Sequence, residues 1–263
     1  MNKAFSLVEL SIVLVILGLL TGGILAGQSL IRAAELRSAG TEHQRYVTAV
    51  QSFRDKYFAV PGDMSNATRF WLRQVNQVWC VTNSAAAISA SGTCDGNGAG
   101  TISSAAAASQ SGEQFQFWNQ LALAGLIEGT YSGLAGSAGV SHHVIGTNAP
   151  VSKISNAGWS EVHLPGFAGD ASAYALDYTN VLRLGAASGS GSTFGAVLRP
   201  EEAWNIDTKL DDGKPATGSI IALYWNNACA AADDGTHANN DLVASYKLTD
   251  STVQCALNFR NSF

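Results

Sequence analysis

Glu9 is the only charged side chain between Lys3 and Arg32, and almost everything around it is apolar. From Leu10 to Ile31 the run is polar only at Ser11, Thr21, Gln28 and Ser29. A carboxylate at the edge of such a run is costly to bury in lipid, so it marks a place where a partner charge is needed. The partner we expect is a newly made amino terminus.

The remaining chemistry-bearing residues are sparser. The four cysteines, Cys80, Cys94, Cys229 and Cys255, allow three connectivities. Sequential pairing closes two short polar excursions and is the expected one. No pair has C-x-x-C spacing, which speaks against a zinc site. An even cysteine count in a polar, loop-rich region fits an oxidising compartment. Two acidic stretches, Asp95-Gly96-Asn97-Gly98 and Asp211-Asp212-Gly213, crowd hard oxygen donors, so Asp95, Asn97, Asp211 and Asp212 are candidates for calcium ligation. Asp-Gly and Asn-Gly are also ordinary turn formers, and neither stretch carries the downstream Glu of an EF-hand, so a turn is the preferred reading. His43, His142, His143, His163 and His237 form no H-E-x-x-H pattern, and no G-x-S-x-G elbow, phosphate loop or dinucleotide fingerprint occurs. The chain is therefore not expected to be an enzyme, and any ATPase it depends on lies on another protein.

These residues need elements to carry them. About 22 residues separate Glu9 from Arg32, which as a helix is ~33 Å long, enough for a bilayer core of about 30 Å. The apolar region of a secretory signal peptide is shorter and ends in a small-residue cleavage site, which Ile24-Leu25-Ala26 fits poorly. Lys3 ahead of the run places the amino terminus in the cytoplasm. Gly18, Gly22, Gly23 and Gly27 have the small-x-x-x-small spacing of close helix packing, and Gly22-Gly23 is a weak point for helix continuity. Beyond Ile31, Leu36, Val47, Val50, Phe53 and Tyr57 predict an apolar stripe on a charged helix that Pro61-Gly62 stops. The expectation is one helix of about fifty residues, half apolar throughout and half amphipathic.

The head that follows contains low-complexity stretches at 83–112 and 185–195. Residues 113–127 predict a short amphipathic helix with Phe117, Leu121 and Leu123 or Ala124 inward and Gly129 ending it. Residues 218–225 and 253–259 predict strands, giving an α+β chain whose head carries a C-terminal antiparallel sheet. Only 13% of the residues are charged, against about a quarter in typical solvated domains, which suits a subunit that packs against its own copies. The formal net charge of -5 argues against a nucleic-acid partner.

Lys3-Ala4-Phe5-Ser6-Leu7-Val8-Glu9, followed by the apolar run, resembles the class III leader of type IV pilins and type II secretion pseudopilins. Pro61-Gly62-Asp63-Met64, Asp95-Gly96-Asn97-Gly98, Phe117-Trp118, Ala124-Gly125-Leu126-Ile127 and the stretch from Asn205 to Gly213 resemble a larger-headed group of pilin-like proteins. The resemblance implies a leader of residues 1–4, a stem helix of 5–58 and a head of 59–263. It implies that a prepilin peptidase cuts between Ala4 and Phe5 and N-methylates Phe5; Ala4 stands where the family usually has Gly. Glu9 would then pair with the Phe5 amine of a neighbouring subunit during assembly. The implied partners are other pilin or pseudopilin subunits, the peptidase and an inner-membrane assembly platform. The implied location is the bacterial inner membrane, with one span and the head outside the cytoplasm, and afterwards a filament. Cys229–Cys255 would correspond to the disulfide-bounded carboxy-terminal loop of many pilins. The alternative is a membrane-anchored periplasmic binding or adhesion protein that does not polymerise.

Overall fold

The computed structural model describes residues 7–74, 88–89, 92–164, 173–223, 228–231, 242–260 and 262–263. Its dominant element is α1, Leu7–Tyr57, a helix of 51 residues that runs unbroken through Gly22-Gly23. The head adds α2 (Thr68–Trp71), β1 (Arg73–Gln74), β2 (Ile88–Ser89), α3 (Glu113–Leu123), β3 (Gly158–Leu164) and β4 (Thr179–Gly185). It continues through α4 (Pro200–Leu210), β5 (Ile220–Ala222), β6 (Ala230–Ala231), β7 (Ser245–Tyr246) and β8 (Leu257–Phe259). This is the expected α+β arrangement of a long amino-terminal helix and a head with an antiparallel sheet.

The second half of α1 buries one line of side chains, Ala39, Glu42, Tyr46, Val50 and Phe53, spaced by three or four residues. That spacing returns to one face of a helix at each turn. Leu36 and Tyr57 pack at its edges, whereas Val47, expected on the stripe, is only half-buried. The face is set by two residues the hydropathy pattern did not select: Tyr46, edge-on to Trp118 and Trp159 at 5.0 and 5.6 Å, and the carboxylate Glu42.

The main sheet has the order β3-β4-β8-β5, antiparallel throughout. Directly opposed residues in a sheet share a face. The register therefore makes two rows that face the stem: Trp159, Leu184, Leu257 and Ala222, then Glu161, Leu182, Phe259 and Ile220. All but Glu161 belong to the main apolar core with the stem. Val162, Val181 and Ile221 lie on the opposite face, in a second core closed by Tyr174 and Tyr178.

Three local expectations are corrected. α3 is buried on nearly every side rather than along one stripe: Phe115, Phe117, Trp118 and Leu121 are enclosed, and so are Gln114, Gln116, Asn119 and Gln120. The glutamines survive burial because they are bonded; Gln120 Oε1 accepts the Gly62 N–H at 2.7 Å and Gln116 Oε1 accepts the Thr93 hydroxyl at 2.8 Å. Leu123 and Ala124 are only half-buried. Gly125, not Gly129, ends the helix: its φ of 72° is left-handed, and the Leu126 N–H reaches back to the Leu121 carbonyl at 3.0 Å. The predicted strands at 218–225 and 253–259 shrink to β5 and β8, while β3, β4 and α4 lie where no element was expected.

Candidate functional site

The two halves of α1 have opposite environments. Every residue from Leu7 to Ile31 is exposed, including Leu7 at 86%, Leu19 at 73% and Leu30 at 75%. This is the one helix among the described residues long and apolar enough to cross a membrane. Glu9 stands in its first turn, where the helix dipole favours a carboxylate. A Cβ at Gly18, Gly22, Gly23 or Gly27 would meet nothing within 4 Å, so these glycines leave open helix surface. Ala4 and Phe5 lie outside the described residues.

Arg32 is the first charge after the apolar run, and it ties the stem to the head. Its Nε and Nη2 donate to Glu202 Oε1 and Oε2 at 2.6 and 2.7 Å, its Nη1 to Glu35 at 2.9 Å, and its Nη2 also to the Val197 carbonyl at 3.0 Å. The forked contact with Glu202 holds the Arg32 pKa above its ordinary value. Burial alone would raise the Glu202 carboxyl, but hydrogen bonds from Arg32 and the Arg199 N–H outweigh it and the pKa falls. Glu202 is the third residue of α4, so this pair pins one end of that helix to α1. At the other end Leu210 packs against Gly40, where a Cβ would approach its methyl carbons to 3.1 Å. Stem and α4 therefore run side by side in the same direction.

Ten residues beyond Arg32, nearly three turns of α1 further into the head, Glu42 is 5% exposed and accepts three hydrogen bonds. Oε2 takes the Ser152 hydroxyl and the Trp159 indole N–H, both at 2.7 Å, and Oε1 takes the Lys153 N–H at 2.8 Å. Beside it, His43 stacks on Phe259 at 4.5 Å and is held mostly neutral, with burial lowering its pKa to about 4. The stem is thereby keyed to β3 and to the turn preceding it.

The acidic stretches are turn-forming carboxylates. Asp95 Oδ1 and Oδ2 take the Thr68 N–H and hydroxyl at 2.7 and 3.0 Å, and Asn97 Oδ1 takes the Ala99 N–H at 2.8 Å. Asp63 accepts from Gly98, Ala99 and Gly100, and Glu113 from Asn97 and Ser103, so this loop is wound around carboxylates through its own N–H groups. Asp211 and Asp212 are joined by Asp207, the ligand atoms all within 4.8 Å of one another. Asp207 is fully buried, takes the Tyr246 hydroxyl at 2.7 Å, and has its pKa raised by burial to about 7. Asp211 caps the Ser219 and Ile220 N–H groups, and Asp212 takes the Lys214 N–H and Thr217 hydroxyl. Those N–H and O–H donors compete with a calcium ion for most of the carboxylate oxygens. Calcium at a thousandfold excess over its dissociation constant would add about 4 kcal/mol. We expect instead the same melting temperature in calcium and in chelator; a rise of roughly 10 °C with calcium would assign a structural ion.

Cys229 and Cys255 form the expected disulfide, which across a sequence separation of 26 ties the segment before β8 to the segment before β6. In the chain-entropy model such a loop contributes about 3.5 kcal/mol. Cys94 is also disulfide-bonded, and Cys80 lies outside the described residues.

The reading of the sequence missed Glu42, Arg32 with Glu202, Asp207 and Glu161. Only Arg32 carried a signal, as the charge that ends the apolar run. No family model, curated protein or solved structure matches the chain.

Proposed function

We propose that the chain is a pilin-like structural subunit, cut by a prepilin peptidase before Phe5, methylated there, and polymerised into a type IV pilus or a type II secretion pseudopilus. The observation that carries this reading is the division of α1, whose first half is apolar and uncovered by its own chain while its second half is keyed into a head. An uncovered apolar helix of that length needs lipid before assembly and neighbouring stems afterwards. The leader-like residues Lys3 to Glu9 support the same reading, with Glu9 neutralising the Phe5 amine of the next subunit inside the filament. Gly18, Gly22, Gly23 and Gly27 supply surface on which stems approach closely.

Two measurements test it. Mass spectrometry of the protein recovered from membranes is expected to find Phe5 as the first residue, carrying one methyl group. Filaments sheared from cells are expected to fall by at least about a hundredfold in Glu9→Ala, since losing one member of a buried ion pair costs roughly 3 to 5 kcal/mol. Retention of Lys3 and Ala4 with no filament at all would replace this reading by a membrane-anchored binding protein that does not polymerise.

A further inference from the structure

The stem and the head enclose a cleft of about 760 Å³ at the end of the apolar run. Leu25, Gln28 and Ser29 line one wall, and Asn156, Arg199 and Val253 on the lower rim of the head line the other. The rim thus reaches back alongside α1 to Leu25, seven residues before Arg32, or about 10 Å of helix. Below it, Leu7 to Ile24 is about 18 residues, roughly 27 Å, close to the thickness of a hydrocarbon core. Placing the whole run to Ile31 in hydrocarbon would force Asn156, Arg199 and Glu201 into it as well, at a large desolvation penalty. The level that satisfies both parts puts Leu7–Ile24 in the core, with Glu9 at its far edge, and the lower end of the cleft, at Leu25, in the headgroup layer, which is about 5 to 8 Å deep.

The lining of the cleft carries two arginines, Arg32 and Arg199, and two glutamates, Glu201 and Glu202, so its formal charge balances. Arg32 and Glu202 face each other in the forked pair, leaving Arg199 and Glu201, both exposed, as opposite charges flanking the opening. Val253, 49% exposed, and Leu25, 67% exposed, offer apolar surface in the same cleft.

We propose that the head rests on the bilayer through this rim and that the cleft holds a zwitterionic phospholipid headgroup, its phosphate toward Arg199 and its ammonium toward Glu201. The inference depends on α1 spanning a membrane but not on polymerisation. It fixes how the head is presented before assembly: seated on the membrane surface with α4 rising away from it.

The test uses the full chain in vesicles of equimolar phosphatidylethanolamine and phosphatidylglycerol, with a photo-crosslinking phenylalanine derivative at one position per variant. Probes replace Leu17 in the span, Val253 on the rim, or Phe58, about 50 Å from Leu25 along the helix axis. Mass spectrometry is expected to show phospholipid adducts from the Leu17 and Val253 probes and none from the Phe58 probe. Adducts at Val253 should favour phosphatidylethanolamine by about fivefold, a ratio equivalent to roughly 1 kcal/mol. Arg199→Gln with Glu201→Gln should bring that ratio to about one while leaving Leu17 adducts unchanged. Lipid adducts at Leu17 without any at Val253 would overturn the inference and leave the span intact. So would crosslinking of Val253 to a second copy of the chain in place of lipid. No adduct at Leu17 would remove the membrane span, and the seated head with it. Equal adducts of the two lipids at Val253 in the parent chain would overturn the zwitterionic assignment.

Discussion

Glu42→Ala is expected to lower the melting temperature of the detergent-solubilised chain by roughly 10 °C, with Glu42→Gln falling between it and the parent. The carboxylate is enclosed where α1 meets the turn before β3, and all three of its partners are donors: a hydroxyl, an indole N–H and a backbone N–H. Alanine leaves each donor buried with no acceptor, and a buried charge-assisted set of this kind is worth about 3 to 5 kcal/mol on removal of one side. Glutamine keeps one acceptor oxygen but turns an NH₂ toward a donor, so it restores only part of the set. Gln44→Ala, at an exposed position two residues on, serves as a control and should shift the midpoint by no more than about 2 °C. A Glu42→Ala midpoint as close to the parent as that control would remove Glu42 from its role in joining stem to head. If filament assembly draws on the stem alone, Glu42→Ala filaments would still form but carry loosened heads, which protease sensitivity would register.

Stability is expected to stay nearly level from about pH 4.5 to 6.5 and to decline above that, and Glu161→Gln should make the decline shallower. Glu161 is fully buried in β3, and neither carboxylate oxygen has a hydrogen-bond partner among the described residues. Burial, with a smaller contribution from Glu113, raises its pKa well above the ordinary value. A folded-state pKa raised above the unfolded one means that the native protein holds the proton longer. The contribution to stability is therefore full at low pH and is lost as pH rises, at up to about 1.4 kcal/mol per pH unit. Asp207 acts in the same direction between its ordinary value of 3.8 and about 7. His43 and His143 act oppositely. Burial lowers each to about 4, so the unfolded chain takes up protons first as pH falls from about 6.5, and their contribution is lost on acidification. Two slopes of each sign cancel below pH 6.5. Above that the histidines are silent and the two raised carboxyls both lower stability as pH rises, Asp207 up to about pH 7. The measurement is urea unfolding at intervals from pH 5 to pH 9, below the range in which the buried tyrosines ionise. A Glu161→Gln curve that declines as steeply as the parent's would show that Glu161 does not carry the effect.

Glu161 also marks where legibility ended. In the strand G-W-S-E-V-H-L the alternation places Trp159, Glu161 and His163 on one face, and a carboxylate there reads as a solvent-facing position. The register instead sets it in a row with Leu182, Phe259 and Ile220, against the stem. Pattern reading assigns burial from hydropathy, so a strand whose polar residue faces the core escapes it. α3 escaped in the same way. Its glutamines and Asn119 made it look half-solvated, while in the fold those amides bond the loop around Thr93 and Gly62. The helix end moved from Gly129 to Gly125 because both glycines have positive φ and only the backbone decides which one follows the last helical turn.

What the amino-acid order determined by itself is local in origin. The length and apolar character of the first half of α1, the lone carboxylate at Glu9, the amphipathic second half and the strand at β8 all follow from neighbours within a few turns of chain. What only the tertiary structure decided is which distant groups meet. Arg32 and Glu202 are 170 residues apart, Glu42 and Trp159 are 117 apart, and Tyr246 and Asp207 are 39 apart. Periodicity carries no information across such distances. Each of these groups becomes consequential only when packing excludes water around it, because the same carboxylate that is ordinary on a surface becomes, once enclosed, either a keyed contact or an unpaired proton site.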